Sequence, residues 1–69
     1  MNNKDTFLPV TVKFIELMDE IKELQRKEEL RHVGRQLALA GTNVEQAFLW
    51  FNSAIERDMV EQVRSSKLE

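Results

Sequence analysis

Sixty-nine residues allow one domain at most, and a chain of this size buries only about 60% of its unfolded surface, so it is marginal alone. No cysteine is present, which excludes a disulfide framework and a thiolate metal site and accords with a reducing compartment. A formal net charge of −2 gives no general pull toward nucleic acid or an anionic membrane. No apolar run approaches the ~20 residues of a membrane span, and the start lacks the basic-then-apolar layout of a secretory signal. The expected setting is cytoplasmic, without a membrane.

In chain order, residues 1–6 read as flexible. A helix start falls between Thr6 and Thr11, with Pro9 in the first turn, where its missing N–H costs least. Val10, Phe14, Leu17, Ile21 and Leu24 then follow the 3-4 spacing of one helix face, widened by Ile15 and Met18. The stripe fails at Glu28 and Arg31 and resumes displaced at Leu30, Val33, Leu37 and Ala40. A long first helix bent near Gly34 accounts for the shift; a break into two helices is the alternative.

Gly41 suits the left-handed residue just past a helix end. Thr42 followed by Glu45 has the form of a capping box, so a second helix is expected from Asn43 to about Arg64. Its inner stripe is Val44, Ala47, Phe48, Phe51, Ile55 and Met59. Residues 65–69 read as a frayed tail, with Leu68-Glu69 in the form of a cloning remnant. The fold class is all-α: an antiparallel helical hairpin hinged at Gly41-Thr42, in one small helical domain.

That hinge pairs Ala40 with Val44, Leu37 with Ala47, Val33 with Phe51, Leu30 with Ile55, Leu24 with Met59 and Ile21 with Val63. Phe7, Val10 and Phe14 are then left with no helix opposite, although residues 7–18 are among the most apolar of the chain. Leu49, Trp50 and Val60 point away from the same seam. Apolar surface of this extent predicts self-association, most simply a two-fold homodimer in a four-helix arrangement. The expected interface residues are Phe7, Leu8, Val10, Phe14, Leu49 and Trp50.

Candidate chemistry is sparse. Glu28 and the single histidine, His32, stand one helical turn apart, but no third ligand is available, so no metal site is expected. Asp19, Glu20, Glu23 and Glu16 make an acidic patch without the cleft that acid–base catalysis requires. No nucleophile–base pair and no glycine-rich phosphate loop occurs, so neither an enzyme nor a cofactor is expected. Lys27, Arg31 and Arg35, spaced i, i+4, i+8, would form one basic helix face able to meet phosphates, yet Glu23, Glu28 and Glu29 are interleaved, which favours a solvated face.

The stretch Leu39-Ala40-Gly41-Thr42-Asn43-Val44-Glu45-Gln46-Ala47-Phe48-Leu49-Trp50 resembles the end of a ubiquitin-associated domain, where a loop enters a helix of the form Asn-Val-Glu-x-Ala-x-x-Trp. The Met-Gly-Phe-type loop with which such domains hold ubiquitin is absent. It also resembles a degenerate helix-turn-helix with Gly41 in the turn, but the reading helix would carry Glu45 and Phe48 in place of base-reading Arg or Asn. Helix-capping grammar accounts for what the two share, and no family follows. The expected function is a non-enzymatic homodimeric protein–protein interaction or regulatory role with an unidentified protein partner. The alternative is a small nucleic-acid-associated regulator using Lys27, Arg31 and Arg35.

Overall fold

The computed structural model describes residues 4–68. The expectations for residues 1–3 and for Glu69 therefore lie outside the described residues. Two α-helices, α1 (Lys4–Gln25) and α2 (Gly34–Leu68), are joined through Arg26, Lys27 and a 3-10 helix over Glu28–Val33. Among the described residues the fold is all-helical, with no strand.

The break between helices lies at the phase shift of the apolar stripe, not at Gly41-Thr42. Residues 26–32 are all charged or ionisable except Leu30, so a continuous helix would gain nothing there by facing a neighbour. Lys27 turns extended (φ −77°, ψ 122°), and the amides of Arg26, Lys27 and Leu30 donate to carbonyls three residues back, at 3.2, 3.1 and 3.0 Å. A 3-10 helix has three residues per turn, so Leu30 and Val33 fall on one side, and both are half-buried. The long first helix bent near Gly34 and the second helix from Asn43 are thus replaced by a short α1 and a 35-residue α2.

Gly34 opens α2 in ordinary right-handed helical geometry (φ −56°, ψ −40°), and no described glycine has positive φ. Gly41 stays inside α2 and faces α1, with Ile21 Cγ2 3.5 Å from where a Cβ would stand, an ordinary packing distance. Thr42 and Glu45 are consequently mid-helix and exposed. The loop that both family resemblances require is absent, since residues 34–68 form one helix.

At the other end α1 begins at Lys4, so Pro9 lies in its second turn, and Thr6 is already helical. Proline there forfeits one backbone bond, to the Asp5 carbonyl. Nearby, the Thr11 hydroxyl donates to the Phe7 carbonyl at 3.3 Å. Residues 65–68 are likewise part of α2.

Four contacts set the register between the helices. Phe7 meets Phe51 edge to face (centroids 5.8 Å, 80°), Phe14 lies 5.3 Å from Phe48 and 5.4 Å from Phe51, and Ile21 faces Gly41. Residue numbers rise along α1 as they fall along α2. The half-buried positions of α1 are Phe7, Thr11, Phe14, Met18 and Ile21; those of α2 include Leu37, Gly41, Val44, Phe48, Phe51 and Ile55. Both sets alternate by 3 and 4, the repeat of a coiled-coil seam. The facing pairs expected from a Gly41 hinge are all displaced, and Phe7 and Phe14 do have a helix opposite them.

By this register residues 59–68 of α2 run past Lys4 of α1. The seam line continues there as Asp58 and Gln62, whose Nε2 donates to Asp58 Oδ2 at 2.8 Å. The overhang is therefore at the end of α2, not at the start of α1. The molecule is a rod, 59 × 17 × 9 Å, with a radius of gyration of 16.9 Å against about 11 Å for a compact chain of this length.

Candidate interaction surface

No residue among those described is buried, apolar or polar. The accessible surface is 5940 Å², where a compact monomer of this mass exposes about 4,500 Å². Two helices side by side have one seam, and each seam residue remains open on the sides that a third or fourth helix would cover.

Most of the apolar surplus falls into three surfaces. On α1, Val10, Leu17 and Leu24 repeat every seven residues along one flank of the seam and are 42%, 43% and 38% exposed. The stripe expected to face the second helix is thus divided: Phe14 and Ile21 lie in the seam, while these three stand beside it. Ala40, Ala47 and Ala54 repeat at the same interval along α2 and are exposed. The other flank is mixed. Lys22 of α1 and Ala38, Thr42 and Glu45 of α2 line an open cleft of about 210 Å³ there, over Ile21 and Gly41. Leu8, Val12 and Ile15 follow helical spacing along α1 on this second side and are exposed.

The overhang of α2 carries Met59, Val60 and Val63, all exposed, in an apolar depression edged by Arg64 and Lys67. Val63, expected opposite Ile21, and Met59, expected opposite Leu24, have no helix against them in this register. Of the six expected interface residues, Phe7 and Phe14 are engaged within the chain, whereas Leu8, Val10, Leu49 and Trp50 face outward. Trp50 is 75% exposed and Leu49 60%. One step on the helix separates them by about 100°, so they point to different sides.

The basic face is dispersed. Lys27 precedes the 3-10 helix, Arg31 is within it and Arg35 is in α2, so i, i+4, i+8 spacing no longer aligns them. Arg31 pairs with Glu28 at 3.1 Å and Arg26 with Glu23 at 2.8 Å. The Glu28 carboxylate, one turn before His32 in sequence, thus pairs with Arg31. Among the described residues no group of three or more His, Asp or Glu is placed to hold a metal ion. No described helix is long and apolar enough to cross a membrane.

Compared with known proteins, the chain matches no family model, no curated protein and no solved structure.

Proposed function

We propose that this chain is a non-enzymatic helical interaction protein: an antiparallel helical hairpin that homodimerises into a four-helix arrangement and offers its remaining apolar surface to a protein partner. One observation carries the reading, the absence of any buried side chain among the described residues of the single chain. Folding must offset roughly 1–2 kcal/mol of backbone entropy per residue, and half-covered side chains in one seam do this poorly. The surplus of about 1,400 Å² over a compact monomer exceeds the ~800 Å² per partner of a standard interface. Met59, Val60 and Val63, with a rim of Arg64 and Lys67, are then the anchors for a partner helix of acidic character.

Light scattering on the full chain tests the reading. A mass of twice 8.1 kDa is expected at tens of micromolar; a monomeric mass there, with helicity retained, overturns it. The nucleic-acid reading is the weaker, because the three basic residues do not share a helix face and Arg31 already has a carboxylate partner. Tight, steeply salt-dependent binding to nucleic acid, lost when Lys27, Arg31 and Arg35 are neutralised, would reverse that order.

A further inference from the structure

Self-association, on which this inference rests, does not say which faces meet; the flank carrying Val10, Leu17 and Leu24 does. The cleft shows that residues one position after the seam, Lys22 on α1 and Ala38 and Glu45 on α2, share one flank. By the same geometry residues one position before the seam share the other: Val10 and Leu17 before Thr11 and Met18, Ala40, Ala47 and Ala54 before Gly41, Phe48 and Ile55. The register places Val10 level with Ala54, Leu17 with Ala47 and Leu24 with Ala40, to within a turn. A ridge of large side chains therefore runs beside a low shelf of alanines; the ridge and shelf positions are themselves uncharged over four turns, with Lys13 beside Val10 and Leu17, and Glu20 following Leu17 at the same spacing. The equivalent positions of the opposite flank include Lys22, Glu45 and Asn52.

We propose that a second copy of this chain docks on this flank about a two-fold axis parallel to the helices, so that Leu17 of each copy seats on Ala47 of the other, with Val10 on Ala54 and Leu24 on Ala40. A two-fold along the helices preserves level and sets ridge on shelf twice. A two-fold across them sets ridge against ridge and leaves the alanines facing alanines over a void, which close packing penalises. Both arrangements give every helix neighbours of opposite direction, as in up-down bundles, so the fit of ridge to shelf decides between them. The axial arrangement brings Lys13 of one copy level with Trp50 of the other, so the most exposed aromatic gains a cation and an aliphatic stem against its face.

The cysteine-free sequence makes the test direct, since single cysteines have no competitor. Leu17→Cys and Ala47→Cys chains, both altered at exposed positions, are mixed, unfolded and refolded together, oxidised, and resolved by mass. The arrangement predicts that the mixed 17–47 disulfide dominates and that Leu17→Cys alone cross-links poorly, with the same pattern for Leu24→Cys and Ala40→Cys. A dimer by light scattering in which Leu17→Cys alone cross-links as readily as the mixture overturns the axial arrangement, and a dimer with no cross-link through 17 or 47 overturns the face. A monomeric unmodified chain overturns self-association itself, so the two failures are distinct.

Discussion

Gly41 and Ile21 face each other across the seam, and a Cβ added to Gly41 would meet Ile21 Cγ2 at 3.5 Å, ordinary van der Waals contact. Gly41→Ala is therefore expected to stabilise the fold by about 1 kcal/mol, the difference between alanine and glycine in a helix interior. Were Gly41 a left-handed helix stop, the same substitution would destabilise. Urea titration followed by circular dichroism reads the sign.

Phe14 touches both Phe48 and Phe51, whereas Trp50 is 75% exposed. Phe14→Ala should cost about 2–3 kcal/mol, less than the truncation of a fully buried ring because this one is only half-buried. That is a large fraction of what a chain of this size can hold. Trp50→Ala should leave the helicity of the chain nearly unchanged and weaken association instead. Denaturation read at one concentration and mass read by light scattering separate these two effects.

Pro9 lies in the second turn of α1 and interrupts one helical bond. Its replacement by alanine restores that bond and should raise stability by roughly 1–3 kcal/mol, with an increase in helical ellipticity. No gain in either signal would mean that α1 begins after Pro9.

The ion pairs Arg26–Glu23, Arg31–Glu28 and Arg57–Glu61 are local and well exposed. Glu23→Gln, Glu28→Gln and Glu61→Gln should each change stability by no more than about 0.5 kcal/mol. Thermal melts in low and moderate salt should differ correspondingly little.

The sequence carried the helical class plainly, in its period and composition, but it concealed the turn. Thr42 and Glu45 imitate a helix start, and Gly41 imitates a stop, although the three sit in the middle of the longest helix. The turn at Lys27 contains neither glycine nor proline. Its signal was the loss of stripe phase at Glu28 and Arg31, a global mismatch that outweighs capping chemistry worth about 1 kcal/mol. Moving the hinge by some fourteen residues exchanged the ends: the start of α1 acquired Phe51 and Phe48, and the end of α2 lost its cover. The surplus of apolar surface was legible from composition. Its location was not, because that depends on where the chain reverses.

Folding and association are one process if a single chain has no core. The direct measurement is the thermal midpoint of the full chain by circular dichroism over a hundredfold range of concentration. Linkage predicts a midpoint that climbs steadily with concentration, as folded chains are drawn into dimers. A midpoint that stays fixed over that range, with helicity intact at the lowest concentration, would contradict the account.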